Sequence, residues 1–287
     1  MRYHSGMNFS EFPLTTTDQK TIHTKLWEPE TETTPKAVVC LIHGFGEHIG
    51  RYEHVAQALN QANYSVWGLD SRGHGKSAGQ RGFIPSYEQF LDDVDSLLAA
   101  TKERFPNEKI FLYGHSTGGG LILRHVYERN PQITGAVVTS PWLRLARDPG
   151  FLSSLIMWLF SLFRPEFTID TGFTPGLLSR DPAVDEAHIA DPLTHGSMTA
   201  GLLTHAIKNG ELLLKNAHSF PKTPLLLLHG NGDKIIAYKG SEIFARRASA
   251  ETVTFTTFEE GGHELHNDLC KADVLDTIVK WLDQQIL

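Results

Sequence analysis

The sequence predicts an α/β fold: a mostly parallel central sheet, helices on both faces, and a helical segment inserted late in the chain. Three observations carry this. Strand-like runs alternate with amphipathic helices over the first half, and again at the end. Several of the runs are continuously apolar, as strands covered on both faces must be. The rhythm breaks for about 80 residues and then resumes.

Two short runs, Phe9–Leu14 and Thr21–Trp27, flank TTTDQK and read as a hairpin, followed by a loop over Glu30–Pro35. AVVCLIH (Ala37–His43) is apolar throughout, the mark of a buried strand. Tyr52–Asn63 places Val55, Ala58 and Leu59 at helical spacing, and Tyr64–Asp70 is the next strand. Tyr87–Phe105 aligns Phe90, Leu91, Val94, Leu97 and Leu98 on one helical face. The strand Lys109–Gly114 runs into a helix, Thr117–Asn130, stopped by Pro131, and the strand Ile133–Ser140 follows. From Pro141 to Phe220 no strand is evident; helical stretches are broken at DPG, RPE and TPG. The pattern then returns with the strand Thr223–Gly230, the helix Ser241–Ala248, the strand Thr252–Glu260 and the amphipathic helix Lys271–Ile286. The expected organisation is a core from 1–140 and 221–287, interrupted by a helical cap over 141–220. An insertion at the C-terminal edge of such a sheet lies where ligands bind.

The chain has 287 residues, 40% hydrophobic and 21% charged, which suits one well-filled core and excludes a disordered chain. Its 26 Lys and Arg against 33 Asp and Glu leave a net charge of −7, without the basic footprint of a nucleic-acid binder. Cys40 and Cys270 form no disulfide framework. MRYHSGMNFSEF lacks the apolar core of a signal peptide, and no apolar run is long enough to span a bilayer. The expected location is the cytoplasm, with peripheral contact at membranes.

Gly114-His115-Ser116-Thr117-Gly118 matches G-x-S-x-G. Alone the pattern is common, and a plain glycine-rich turn is the alternative. Here a strand enters it and a helix leaves it, as a strained nucleophile turn requires. Such a turn lifts Ser116 above the sheet and aims the first helical N–H groups at the same point. A serine hydroxyl needs a base, and the base needs a carboxylate to hold its tautomer. In the order Ser, acid, His, the candidates are Asp233, after LLLLHGNG, and His263, in EGGHELHN. Each follows a strand and can reach the same sheet edge. A turn-forming Asp and a surface His are the alternatives, and His266 is the rival base. Gly261 and Gly262 suggest a mobile loop. The oxyanion needs two donors, each worth about 3–4 kcal/mol. The backbone N–H of Thr117 is one, and that of Phe45, in His43-Gly44-Phe45-Gly46, is the other.

Other motifs fail on spacing. GFGEHIG places Ile49 where a dinucleotide fingerprint needs glycine, and a P-loop ending at GHGKS would need glycine at Asp70. HELH is one residue short of a zinc H-E-x-x-H helix, and none of the 15 His completes a metal set. No metal and no cofactor are expected.

Several segments in order carry a more specific signal. HGFGEHIGRY (His43–Tyr52), DSRGHGKSAGQRGFI (Asp70–Ile84), GHSTGG, Ser140-Pro141, LSRDPAV, DPLTHG, HGNGDKI and GGHELHND span nearly the whole chain. In these the sequence resembles the α/β-hydrolase superfamily, and within it the monoacylglycerol lipase/lysophospholipase-like serine hydrolases. The resemblance implies the α/β-hydrolase fold with a cap and the same triad. It also implies a polar pocket end for a glycerol head, at Glu47, Arg51 and His266. A structural role for Arg51, pairing with a carboxylate, is the alternative. Thr117 stands where that family often carries Met, which leaves the N–H but makes the wall smaller and more polar.

FLSSLIMWLFSLF (Phe151–Phe163) has only Ser153, Ser154 and Ser161 as polar residues. Its apolar surface is wider than that of an ordinary surface helix, and at about 20 Å it is too short to span a bilayer. The expectation is a lid lining an acyl tunnel and touching lipid transiently, with Arg144, Arg147 and Arg164 beside it; burial in a dimer or core is the alternative. The expected substrate is a small lipid ester, best read as a monoacylglycerol. A lysophospholipase or short-chain carboxylesterase stands behind it, and a non-catalytic binding protein is the reading from a different class. Nothing in the sequence sets the oligomeric state.

Overall fold

The computed structural model describes residues 8–30, 34–147, 150–172 and 174–287. The loop expected over Glu30–Pro35 and the break at Asp148–Gly150 lie partly outside them. The strands are β1 (Asn8–Thr15), β2 (Thr21–Glu28), β3 (Ala37–Ile42), β4 (Tyr64–Leu69), β5 (Lys109–His115), β6 (Gly135–Thr139), β7 (Thr168–Asp170), β8 (Ser197–Thr199), β9 (Leu225–Gly230) and β10 (Val253–Phe258). The helices are α1 (Glu53–Gln61), α2 (Tyr87–Arg104), α3 (Ser116–Arg129), α4 (Phe151–Phe163), α5 (Pro182–Ala190), α6 (Ala200–Asn216), α7 (Tyr238–Arg247) and α8 (Lys271–Ile286).

Eight strands form one sheet in the order β1-β2-β4-β3-β5-β6-β9-β10. The β1–β2 hairpin and the β2–β4 pair are antiparallel, and every other neighbour is parallel. Strand alternation splits the core in two. Val38, Cys40 and Ile42 of β3 join Phe90, Leu121, Leu202 and Phe244, from α2, α3, α6 and α7. Ala37, Val39 and Leu41 join Val55 of α1 and Trp281 of α8 on the other face. Central strands buried on both sides are why their sequences carry no polar alternation.

Parallel β6 and β9 need a crossover element between them. α6 supplies it, packing on α3 and α7 as well as on α4. The stretch 141–220 therefore contributes through α6 to closing the core. It is not all-helical: β7 and β8 pair antiparallel, with Ile169 opposite Met198. Three-residue strands are too short to show alternation in sequence.

The loops that carry the expected catalytic residues leave the C-terminal ends of parallel strands: β3 into His43–Gly46, β5 into Ser116, β9 toward Asp233 and β10 toward His263.

Candidate active site

β5 runs directly into α3, and the residue at the corner is Ser116, with φ +52°. A left-handed backbone at a non-glycine residue costs about 1–2 kcal/mol. Glycines make the corner sterically possible. A side chain on Gly118 would sit 2.4 Å from the His43 carbonyl oxygen and 2.5 Å from that of Ile42. One on Gly114 would sit 2.6 Å from the Gly118 carbonyl oxygen. The Ser116 carbonyl accepts from the Trp142 N–H at 2.9 Å, which ties the corner to the chain leaving β6. The hydroxyl points into a pocket and the residue is only 5% exposed.

His263 Nε2 lies 2.9 Å from Ser116 Oγ, and His263 Nδ1 lies 2.7 Å from Asp233 Oδ2. Three segments far apart in sequence therefore meet in one line. Asp233 is saturated: Oδ1 accepts from the N–H groups of Ile235 at 2.8 Å and Ile236 at 3.0 Å, and Oδ2 also lies 3.1 Å from His229 Nε2. An ionised carboxylate only accepts, so both imidazoles present N–H to it. This leaves the His263 Nε2 lone pair facing the serine. Burial opposes ionisation of Asp233, but His263 and His229 outweigh it and hold the carboxyl well below its usual range. Burial likewise opposes protonation of His263, but Asp233 outweighs it and raises the pKa above the ordinary imidazole value. His115, whose ring centre lies 4.8 Å from that of His263, goes the other way: burial and the neighbouring ring push it down to about 4.

The loop after β3 is fastened from several directions. Ser71 N–H donates to His43 Nε2 at 2.9 Å, so His43 Nδ1–H donates to the Gly44 carbonyl at 2.6 Å. Gly44 N–H donates to Glu47 at 2.6 Å, and the Gly46 carbonyl accepts from His195 N–H at 2.9 Å. Gly44 must lack a side chain, because a Cβ would meet Glu47, His115 and Ser116 within 3.2 Å. Phe45 lies between these fastenings, and its N–H donates to no protein group among the described residues. Thr117, second residue of α3, has no carbonyl four residues back within its helix. Both amides are thus free for an incoming oxygen.

The residues expected to greet a glycerol head are arranged differently. Glu47 lines the pocket, but Gly44 N–H, Tyr52 O–H and Arg51 all donate to it. Burial opposes its ionisation and Arg51 restores it, holding the carboxyl far below normal. Arg51 does not line the pocket. Its guanidinium forks onto Glu264 at 2.7 and 2.8 Å and reaches Glu47 at 2.9 Å. His266 is fully buried behind the site, stacked on Tyr52 at 4.5 Å. The family-type motif places these residues near the site along the chain, but Glu47 and Arg51 join Glu264 in a buried ion-pair network beneath it, and His266 packs against the Tyr52 ring. Nor is the loop before His263 free to move as its glycines suggest. Gly261 and Gly262 are buried, and Gly262 N–H donates to Asp268.

The pocket holds about 560 Å³. Apolar walls come from Phe45, Trp142, Leu145, Met198, Leu203 and Ile235. α4 supplies none of the lining. It lies outside, none of its residues is buried, and Phe151 and Phe163 are 83% and 78% exposed. No cluster of His, Cys, Asp and Glu among the described residues could hold a metal ion. His229 and Glu264 are the participants that sequence reasoning missed. His229 stands four residues before Asp233 in HGNGD, and Glu264 directly follows His263.

The chain is similar to known proteins over nearly its whole length. The family model described as serine aminopeptidase, S33 matches residues 33–270. An uncharacterized abhydrolase domain-containing protein of Dictyostelium discoideum is 35% identical over 98% of this chain, which spans only 30% of that protein's length. The monoacylglycerol lipase of Mycolicibacterium smegmatis is 30% identical over 90% of this chain and 91% of its own. The crystal structure of Paleococcus ferrophilus monoacylglycerol lipase superposes with a TM-score of 0.81 at 30% identity, covering 97% and 99% of the two chains.

Proposed function

Because the chain belongs to the serine aminopeptidase S33 family of α/β-hydrolases, and is a lipid ester hydrolase, we propose that it cleaves monoacylglycerols to fatty acid and glycerol. The observation that carries the mechanism is the contact line Ser116 Oγ–His263 Nε2–Asp233 Oδ2 at 2.9 and 2.7 Å, set in an apolar pocket.

Ser116 attacks the ester carbonyl as His263 takes its proton, and Asp233 stabilises the resulting imidazolium. The Phe45 and Thr117 amides receive the oxyanion. His263 returns the proton to the departing glycerol oxygen. Water then attacks the acyl-enzyme with His263 again as base, and the carboxylate product is released. Glu47, already neutralised by three donors, offers the head group a polar wall without a free charge. We place the cap over 141–220, and assign α4 transient contact with lipid, because its outward face is almost wholly apolar. Among the described residues no helix is long and apolar enough to cross a membrane.

Two measurements test the reading. A fluorophosphonate should label the parent and leave Ser116→Ala unlabelled; an unlabelled parent would point to a ligand-binding protein without an activated serine. A p-nitrophenyl ester chain-length series, run beside 1- and 2-monoacylglycerols and a lysophospholipid, should favour the monoacylglycerols. Preference for acetyl or butyryl esters with no monoacylglycerol turnover would leave a short-chain carboxylesterase.

A further inference from the structure

A second cavity, of about 1000 Å³, has no part in the chemistry above. It lies between the loop after β6, the first turn of α4, one face of α6 and the two ends of α7. Ile207, Glu211, Leu214 and Lys215 line it from α6, at the spacing of one helical face. Trp142, Leu145, Phe151, Ile207 and Leu214 make it apolar within. Among the described residues its charged members are Arg144, Lys215, Lys239 and Arg247 against the single carboxylate of Glu211. That local excess of positive charge runs against a protein of net charge −7. Lys239 pairs with Glu242, and Arg247 donates to the Leu214 carbonyl at 2.8 Å. Arg144 and Lys215 have no ion-pair partner among the described residues. Trp142 and Leu145 line both this cavity and the catalytic pocket, so a single layer of side chains separates the two.

We propose that this groove is a second binding site, and that its occupant is a free fatty-acid anion, the product released next door. The carboxylate meets Arg144 and Lys215, and the chain lies along Phe151, Ile207 and Leu214 toward the Trp142–Leu145 wall. Two unpaired cations are wasted on a neutral glyceride, and a long apolar floor is wasted on phosphate or a nucleotide. A fatty acid, ionised at neutral pH as ordinary carboxyls are, uses both. The identity of the anion rests on the lipid-ester reading; the shape and charge of the groove do not.

The test separates the two sites. The catalytic pocket is first blocked with a small fluorophosphonate, and laurate is titrated calorimetrically into the blocked protein. One molar equivalent should bind. Affinity should rise about three- to fourfold per added methylene from octanoate to laurate, as burial of each CH₂ implies. Dodecanol should bind at least tenfold more weakly than laurate. The double variant Arg144→Glu/Lys215→Glu should lose at least tenfold in laurate affinity while hydrolysing p-nitrophenyl butyrate within twofold of the parent. No binding to the blocked protein, or equal laurate affinity in the double variant, overturns the proposal. So does a variant that keeps laurate binding but loses binding to phosphatidylglycerol vesicles, because the cations would then serve a membrane surface. If Ser116 takes no label, the nucleophile assignment fails rather than the groove; the titration is then run on unlabelled protein, where the difference between parent and double variant decides.

Discussion

Asp233→Asn should lower kcat/KM by about 10⁴-fold, or about 5 kcal/mol, with the fold intact. The magnitude follows from how an amide must sit in the carboxylate's place. Oδ1 now accepts from two backbone N–H groups, of Ile235 and Ile236, while Oδ2 accepts from the rings of His263 and His229. The asparagine has one oxygen and one NH₂. Turning the NH₂ toward the backbone would set donors against donors and strand two buried N–H groups, at roughly 1–3 kcal/mol each. Turning it toward the rings costs far less, because an imidazole can move its proton and a peptide cannot. The second arrangement therefore wins. His263 Nδ1 then accepts, and Nε2 carries the hydrogen that faces Ser116. No lone pair is left for the serine proton. His229 adapts in the same way, turning Nδ1–H toward the Ser241 hydroxyl, which can rotate. The assay is p-nitrophenyl butyrate hydrolysis at pH 8, paired with a thermal melt that should stay near the parent's. A variant that folds and retains activity within tenfold of the parent would refute the tautomer argument.

The His263 pKa lies above the ordinary imidazole value, and only the neutral ring can accept the serine proton. The kcat/KM profile should therefore fall toward acid, with its half-point above about 6.5; a half-point below 6 would contradict the Asp233 contact. Gly118→Ala should cost about 3 kcal/mol in urea denaturation and at least tenfold in activity, because the added methyl meets the His43 and Ile42 carbonyl oxygens at the root of the oxyanion loop; unchanged stability would mean that this backbone can yield. Arg51→Met should destabilise by about 3–5 kcal/mol, since Glu47 and Glu264 would remain buried without their cation; a loss under 1 kcal/mol in the same experiment would show that neither carboxylate depends on it.

Much of this was readable from the chain because the physics is local. Continuous apolar runs identify buried strands, and G-x-S-x-G between a strand and a helix identifies the corner at Ser116. Asp233 and His263 follow strands, so parallel pairing delivers them to one edge. What sequence could not resolve is the direction in which a side chain turns. Arg51 and His266 sit in motifs beside the site, yet the buried carboxylates of Glu47 and Glu264 draw Arg51 inward, and Tyr52 stacks His266 out of the pocket. His229 looked like part of a strand end and became the second imidazole donor to Asp233, beside His263. The exposed face of α4 was legible from its composition, but its separation from the pocket depends on how α6 packs between them and the core.

Among the described residues, Ser116 is one of six non-glycine residues whose backbone the fold holds left-handed. A glycine there would relax the corner and, after its own entropy penalty, leave a net gain of up to about 1 kcal/mol. A library sorted purely for heat resistance should therefore enrich inactive clones at position 116. Any effort to harden this scaffold needs a turnover screen alongside the thermal one, since reactivity and endurance compete at the same dihedral angle.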